Sequence, residues 1–292
     1  LENAETMKNF SVKAGTSEPA AYAICALKEY GFKPEVGDCI CYGIYDFGGG
    51  TTDFDFGQWR SADDDEVEDG YNYVIKHYGD GGVPTLGGEN LIEYLAYEVL
   101  KDNRDKLRAD GKYKFTFARP VMGEKFEGDE NLVSDSKEAK RNLKKVTELI
   151  RPLWEGGIDL ILEDSGENTV DEDSFPFKAS EEFKFPDSVD LIPRDGGSSE
   201  SVSLEIVEDK LIKLLLEKIQ TGVEEFFRAY ELAYKTHSNS ESYNPEIYNI
   251  FLAGKSSQSP ILKYCFEKKI ESYTEVIISC LLYTSDAADD LL

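Results

Sequence analysis

The feature that most constrains the fold is a triple glycine set between two apolar, β-rich runs. Residues 44–57 read IYDFGGGTTDFDFG, and further apolar residues precede them from residue 40. Apolar runs on both sides of a glycine cluster are typical of two strands joined by a tight turn. Gly48, Gly49 and Gly50 can take a positive φ and carry no side chain, so their backbone N–H groups can close on an anion. The sequence therefore predicts a β-hairpin with an anion-binding turn.

Two aspartates, Asp46 and Asp53, bracket this turn at its two strand ends. Carboxylates in these positions suit a hydrated Mg²⁺, which keeps most of its waters and takes few ligands from the protein. Thr51 and Thr52 add hydroxyl donors. The pattern thus indicates a site for the phosphates of a magnesium-bound nucleotide, with the carboxylates acting on the metal through water. The alternative is a plain hairpin whose glycines only form the turn.

Other common catalytic and phosphate-binding patterns do not fit. No Gly-Lys-Ser/Thr follows the glycines, so the turn is not a Walker A loop. The spaced GxGxxG pattern of a dinucleotide site, with its strand-then-helix context, is also missing. His77 and His237 are the only histidines and lack metal-ligand spacing. We therefore do not expect a zinc site or a histidine-based triad.

The motif DFGGGTTDFDFG resembles the second phosphate motif of the actin-like ATPase superfamily, most closely that of the DnaK-type heat-shock chaperones (the heat shock protein 70 family). The resemblance implies that ATP or ADP binds with Mg²⁺. It gives Asp46 and Asp53 a catalytic role in ordering the metal's waters, and it places residues 48–51 on the β- and γ-phosphates. Upstream, SEPAAYAI resembles the family segment that precedes this motif. Glu18 matches the family glutamate facing the Mg-phosphate region, which implies that it helps to orient water.

Three later segments resemble the family in the same order along the chain. TLGGEN resembles the family segment HLGGEDFD, Ala139-Lys140-Arg141 matches part of an adenosine-gripping helix, and LAGKSSQSP resembles the adenosine motif VGGSTRIP. The residues that the resemblance places near the nucleotide are Gly87, Gly88, Glu89, Lys140, Arg141, Gly254, Ser256 and Ser257.

The chain departs from the family pattern at the adenosine positions. Lys137 stands where the family has a glutamate, and Lys144 stands where it has a serine. Lys255 replaces the second glycine of the last motif, and Gln258 replaces the arginine that packs on adenine. These changes favour an alternative hypothesis, in which the lobe is a non-catalytic module for protein interaction.

The charge composition excludes some classes of binding partner. The 292 residues include 58 acidic and 32 basic side chains, which gives a net charge of −26. Nucleic acid and anionic membranes repel such a chain, so we expect neither as a partner. No apolar run is long enough to span a bilayer, and there is no signal-like segment at the start. We expect a cytoplasmic protein.

Apolar periodicity predicts the remaining elements. Helices are predicted from Pro19 to Gly31 and over residues 91–107, 134–154, 209–234 and 261–269; strands are predicted over residues 71–78, 113–118, 157–162, 203–207 and 247–254. The expected fold is α/β, one lobe of the actin-like ATPase (ribonuclease H-like) fold with an inserted α+β subdomain. Residues 1–110 and 236–278 would form the base, and residues 111–235 the insertion. Residues 279–292 resemble translated vector sequence and are expected to take no part in the fold.

The leading functional hypothesis is a DnaK-like, ATP-binding chaperone-type ATPase, of which this chain is the second lobe. We expect the first lobe, with its own Asp-x-Gly-Thr-Thr motif, to lie outside this sequence, and this lobe to be weak or inactive by itself. The implied partners are the nucleotide, the missing first lobe, and protein clients or co-chaperones. A second hypothesis within the superfamily is an actin-like filament or segregation ATPase.

Overall fold

The computed structural model describes residues 18–161, 175–237, 248–272 and 283–284. The helices are α1 (Glu18–Glu29), α2 (Asp64–Glu68), α3 (Gly88–Asp102), α4 (Asp129–Leu132), α5 (Lys137–Trp154), α6 (Glu208–His237) and α7 (Pro260–Glu271). The strands are β1 (Cys39–Phe47), β2 (Thr52–Ser61), β3 (Tyr73–Val83), β4 (Arg108–Ala109), β5 (Lys112–Tyr113), β6 (Ile158–Leu160), β7 (Phe177–Ala179), β8 (Val189–Leu191), β9 (Glu200–Val202), β10 (Tyr248–Ala253) and β11 (Tyr283–Thr284). Short 3₁₀ turns follow α3 at Arg104–Leu107 and β10 at Lys255–Gln258.

A mixed sheet of five strands organises the molecule, in the order β11-β10-β1-β2-β3. The pairs β1–β2 and β2–β3 are antiparallel, whereas β10 runs parallel to β1 and β11 runs parallel to β10. The antiparallel β1–β2 pair is the predicted hairpin, and its strands end within a residue of the glycine turn. A parallel neighbour requires a long crossover, which here contains α3, α5, α6 and the small two-stranded sheets.

The two faces of the sheet follow from the strand period of two. One face carries Tyr45, Phe54 and Phe56, which are buried against the long helix α6 and against α7. The opposite face carries Tyr42 and Ile44, which are buried with the small apolar residues of α1. Asp46 continues the Tyr42–Ile44 alternation, so it lies on the α1 face of the sheet.

Glycine allows α6 to approach the sheet closely. A Cβ on Gly222 would lie 2.3 Å from Leu86 Cδ2 and 2.8 Å from the Tyr45 hydroxyl, so no larger residue fits without rearrangement. Phe226, one turn further on, lies 5.1 Å from Phe56, measured between ring centroids. Through this contact α6 covers the core-facing side of the hairpin.

The region between α3 and α6 is fastened by buried amides. The Asn142 side chain, on α5, donates to the backbone oxygens of Thr116 and Ile192 at 2.9 Å each and accepts from the Ile192 N–H at 2.7 Å. Asn103 joins the end of α3 to Glu205 in the same way, at 2.8 Å for both its donor and its acceptor bond. The Asn142 bonds fix α5 against the segments that follow β5 and β8, and the Asn103 bonds fix the end of α3 against the segment that follows β9.

The α/β class is confirmed, and several element boundaries are corrected. Residues 203–207 form no strand; the predicted strand lies a few residues earlier, as β9. The helix predicted over 91–107 begins earlier, at Gly88, and ends at Asp102. In the run 113–118, Phe115 and Phe117 make only isolated bridges, because their partners belong to distant loops.

The last predicted segment also differs. We expected residues 279–292 to stay outside the fold, yet Tyr283 and Thr284 pair with Phe251 and Leu252 at the edge of the sheet. Among the described residues, no helix is both long enough and apolar enough to cross a membrane.

Candidate functional site

The glycine turn is exposed and short. Gly48 N–H donates to Thr51 O at 3.0 Å, which closes the turn between β1 and β2. Gly49, Gly50 and Thr51 are exposed to solvent. None of the three glycines takes a left-handed φ. A left-handed backbone therefore does not explain the triple glycine. A Cβ on Gly48 would lie 3.3 Å from Thr51 O and one on Gly49 would lie 3.6 Å from Glu89 Cγ, whereas one on Gly50 would meet nothing within 4 Å.

The N-terminus of α3 packs directly on this turn. Gly88 N–H donates to Gly48 O at 3.0 Å, Glu89 N–H donates to Gly49 O at 2.8 Å, and the Asn90 side chain donates to Gly50 O at 2.7 Å. The resemblance places Gly88 and Glu89 beside the nucleotide. Their N–H groups are instead used on the turn itself, so they support the turn and leave ligand contacts to other groups.

This packing fixes the direction of the turn's own amides. In a planar trans peptide the C=O and the following N–H point in opposite directions. The carbonyls of Gly48, Gly49 and Gly50 face α3, so the N–H groups of Gly49, Gly50 and Thr51 face away from it. Among the described residues, none of these three N–H groups has an acceptor. Three successive exposed donors of this kind can bind an anion.

The two aspartates lie opposite each other. Asp46 and Asp53 are cross-strand partners in the β1–β2 ladder, so their side chains share the α1 face. Asp46 is half-buried and Asp53 is exposed. The Thr51 hydroxyl donates to Asp53 Oδ2 at 3.0 Å, which orients that carboxylate. The structure thus brings both predicted carboxylates to the same end of the hairpin.

Thr52 has a structural role. Its hydroxyl is buried and donates to Leu86 O at 2.6 Å, which ties β2 to the segment before α3. It is therefore turned away from the exposed face of the turn, where we expected it to act as a donor to the ligand. Thr51 is the threonine whose hydroxyl remains at the surface.

The loop after β10 completes the site from the other side. Gly254 has φ of 82°, and a Cβ there would lie 2.7 Å from Asp46 Oδ1 and 2.5 Å from Phe47 O. Ser256 Oγ donates to Gly48 O at 3.2 Å. Ser257, by contrast, is buried and donates to Ala253 O, so its hydroxyl caps the strand end instead of facing a ligand. Gly254 and Ser256 therefore meet the hairpin at the carboxyl ends of β1 and β10, where open α/β sheets bind ligands.

A cavity of about 520 Å³ lies beside the turn. Its described lining comprises Gly49, Gly88, Glu89, Arg151, Trp154, Glu155, Gly156, Ile158, Lys255, Ser256, Gln258, Ser259 and Pro260. Three of the segments singled out by sequence meet here: the hairpin, the start of α3 and the loop after β10. This volume is within the range of small-molecule sites.

Two of the predicted adenosine residues lie elsewhere. Lys140 and Arg141 are exposed on α5 and do not line the cavity. Arg151 and Trp154 line it instead, from the other end of the same helix. Lys140 and Arg151 are separated by roughly 16 Å along the helix axis, at about 1.5 Å per residue. Sequence reasoning missed Arg151 and Trp154, because only the packing of α5 against α3 shows which end of α5 reaches the hairpin.

An ion pair joins α3 to α5 at the cavity wall. The Arg151 guanidinium donates to the two carboxylate oxygens of Glu89 at 2.6 and 2.8 Å, and it also contacts Glu148 at 3.0 Å. The hydrogen bonds from Arg151 hold the pKa of Glu89 below its usual range, and the charges of Lys144 and Lys255 act in the same direction. Glu89 is therefore ionised at neutral pH and is paired with a cation next to the glycine turn.

A buried carboxylate lies further along the same face of β2. Asp55 is fully buried; it accepts a hydrogen bond from the Tyr42 hydroxyl at 3.1 Å and lies 3.0 Å from His77 Nδ1. Burial raises the pKa of Asp55, and the nearby His77 opposes that shift. Sequence reasoning missed this cluster, because the run DFDF at residues 53–56 does not show that the second aspartate is buried while the first is exposed.

The remaining predicted site residue is Glu18. It is the first residue of α1, and its side chain lies outside the described part of the structure. Among the described residues, no group of three or more His, Cys, Asp or Glu side chains could hold a metal ion by itself. A metal at this site would therefore depend on ligand oxygens and water.

Comparison with known proteins gives no family assignment. A scan against protein-family models found no match to the chain, and a search of curated proteins found none either. The function is accordingly argued from the geometry of the site.

Proposed function

We propose that this chain is a nucleotide-binding lobe of a DnaK-like, actin-fold ATPase and that its glycine hairpin binds the phosphates of Mg-ATP. The observation that carries the proposal is the row of exposed N–H groups at Gly49, Gly50 and Thr51, set beside a facing pair of carboxylates. Amide donors suit phosphate oxygens, and the carboxylates suit a hydrated cation bound to them.

The arrangement fits Mg²⁺ held through water. Asp46 and Asp53 supply oxygen from one side of the hairpin end, and the phosphates of the nucleotide would supply the other ligands. Mg²⁺ commonly binds one or two carboxylates together with substrate phosphates. In this proposal the two aspartates order water around the metal, and Glu18 helps to orient the attacking water.

The cavity beside the turn would take the rest of the nucleotide. Ser256 and Gly254 border the hairpin, and Trp154 offers an aromatic surface in the cavity wall. In the superfamily that the motifs resemble, a second lobe closes over the ligand from the other side. Because stabilisation of transferring phosphate depends on donors placed on both sides, we propose that this lobe binds nucleotide but hydrolyses it slowly by itself.

Calorimetric titration with Mg-ATP and Mg-ADP tests the proposal. Asp46→Asn and Asp53→Asn should each weaken binding in the presence of Mg²⁺ by about tenfold, which is roughly 1.4 kcal/mol, and should have a smaller effect in EDTA. Asp80→Asn is the matched control, because Asp80 is an exposed aspartate on the neighbouring strand β3. Equal effects of all three substitutions, or no binding of nucleotide to the wild-type chain, would contradict the proposal.

A non-catalytic interaction module is the second candidate. It is favoured by the position of Lys140 and Arg141, which do not line the cavity, and by the use of the α3 N–H groups on the turn. In that case the hairpin would be a structural support, and protein clients or co-chaperones would be the partners. Nucleotide-independent binding of a partner protein, together with no measurable affinity for Mg-ATP in the assembled protein, would favour this candidate.

A further inference from the structure

A single arginine at the cavity wall is shared by three carboxylates. Arg151 donates two hydrogen bonds to Glu89, and it also contacts Glu148 Oε2 at 3.0 Å and Glu155 Oε1 at 3.6 Å. The Arg151 side chain is only 22% exposed, whereas that of Glu89 is 55% exposed. The arginine is therefore fixed in place, and the carboxylate in front of it is the more accessible partner.

Glu89 is held against the turn by its own backbone. Its N–H donates to Gly49 O, and its Cγ lies 3.6 Å from the position that a Cβ on Gly49 would occupy. The planar guanidinium fork of arginine matches a carboxylate and a phosphate equally well. The bidentate contact that Glu89 makes with Arg151 is thus one that two phosphate oxygens could make instead.

Glu89 also has other cations close by. Lys144 and Lys255 are near enough to favour its ionised form, after the larger effect of Arg151. Lys255 lines the same cavity. On release from Arg151 the Glu89 carboxylate, whose side chain is 55% exposed, would be hydrated by solvent, and the charges of the two lysines would still favour its ionised form.

We propose that Arg151 is an anion-binding residue of this cavity and that Glu89 occupies it as a built-in competitor until a phosphate-bearing ligand displaces the carboxylate. The identity of the ligand as a nucleotide rests on the proposed function, whereas the anion subsite follows from the cavity itself. Competition differs from simple repulsion in one respect. A carboxylate that only repels an anion does so whether or not Arg151 is present.

The test is a double-mutant cycle read out by tryptophan fluorescence. The chain has two tryptophans, and Trp59→Phe leaves Trp154, in the cavity wall, as the reporter. In this background Glu89→Gln, Arg151→Met and the double variant are titrated with inorganic pyrophosphate and, separately, with Mg-ADP. Glu93→Gln, about one turn further along α3, is the matched control for loss of one negative charge.

Glu89→Gln should tighten pyrophosphate binding by roughly three- to tenfold, since a charge-assisted bond to Arg151 becomes available to the ligand. Arg151→Met should weaken binding by a similar factor, and adding Glu89→Gln to it should give no gain. Glu93→Gln should bind pyrophosphate as tightly as the Trp59→Phe background does, and any affinity for uncharged adenosine should be the same in all variants. Arg151→Lys, which keeps the charge without the fork, should bind with intermediate affinity and guards against misfolding of the methionine variant.

Two results would overturn the inference. One is an equal gain from Glu89→Gln with and without Arg151, which would mean that the carboxylate acts by repulsion. The other is no pyrophosphate binding in any variant, including Glu89→Gln. If instead the pyrophosphate cycle behaves as expected while Asp46→Asn leaves Mg-ADP binding unchanged, the anion subsite stands and the proposed function fails.

Discussion

Gly87 is the residue on which the packing of α3 against the turn depends. Its φ of −151° is ordinary extended backbone, so conformation alone would allow any residue there. A Cβ at this position, however, would lie 2.3 Å from Gly49 O and 2.4 Å from the Gly50 carbonyl carbon. The glycine is therefore required for contact between two backbone segments, and the sequence motif TLGGEN reflects that contact.

Gly87→Ala should destabilise the protein by about 1–3 kcal/mol, the usual cost of overpacking a close contact. The reason is that backbone atoms of the turn cannot move aside as a flexible side chain can. Gly50→Ala is the matched control: it lies in the same turn, has no left-handed φ, and a Cβ there would meet nothing within 4 Å. Urea denaturation measures both variants; equal losses of stability would contradict the close-contact explanation.

Helix α6 is the element that closes the core beneath the hairpin. Phe226 lies 5.7 Å from Tyr45, 5.3 Å from Phe54 and 5.1 Å from Phe56, measured between ring centroids. Edge-to-face and tilted arrangements of this kind add to the apolar area that each ring buries. The packing of α6 therefore stabilises β1 and β2, the two strands that carry Asp46 and Asp53.

Phe226→Ala should lower the free energy of unfolding by about 3–5 kcal/mol, because it removes a fully buried ring and leaves a cavity between α6 and the hairpin. Leu232→Ala on the same helix is the control, since Leu232 is 67% exposed and should change stability by no more than about 0.5 kcal/mol. Thermal or chemical unfolding measures both. A small effect at Phe226 would show that the core can collapse onto the space left behind.

The short helix α2 gives a prediction on pH. Asp63 and Glu66 form a capping box, and Arg60 donates to both oxygens of Glu66 at 2.7 and 2.8 Å. The hydrogen bonds from Arg60 lower the pKa of Glu66 from its usual 4.5 to about 2. A carboxyl whose pKa falls on folding stabilises the protein above its unfolded pKa, and that contribution disappears as the pH falls through the folded pKa.

Glu66→Gln should therefore flatten the loss of stability between about pH 4.5 and about pH 2 and leave the remaining acid sensitivity in place. Unfolding midpoints measured across this range test the expectation. Glu68→Gln, on the same helix, serves as the control for a change of charge. An identical pH dependence in wild type and Glu66→Gln would show that the Arg60 contact does not persist in solution.

Local residue patterns predicted most of the helices and strands, whereas the composition of the cavity wall depends on long-range packing. The hairpin and α6 were predicted from residue types alone, because their periodicity is set by the strand and helix repeats. The strand predicted over 203–207 was wrong: β9 pairs with β8 at three residues only, Glu200, Ser201 and Val202, and the alternation of residue types over 203–207 lies beyond the end of that pairing. The cavity wall at Arg151 and Trp154 could not be predicted, since a helical stripe does not reveal which neighbouring element covers each end.

Across the molecule, the segments of interest are far apart in sequence and adjacent at one edge of the sheet. Gly48 accepts hydrogen bonds from Gly88 and from Ser256, which are separated from it by about 40 and about 210 residues of sequence. This convergence depends on β10 returning parallel to β1 after a long excursion of the chain. The resemblance of short motifs to a known family therefore predicts a function that can be tested. Only the three-dimensional structure shows that the segments carrying these motifs meet at one edge of the sheet.

The alignment of the turn's peptide groups has an electrical consequence. Its carbonyls all point inward to α3, so the dipoles of consecutive peptides add and their positive ends face the solvent. The chain as a whole carries a net charge of −26 and so surrounds itself with a field that turns anions away. The hairpin tip differs locally from the rest of the surface, because its uncharged backbone presents N–H donors to which a small anion can bind at short range.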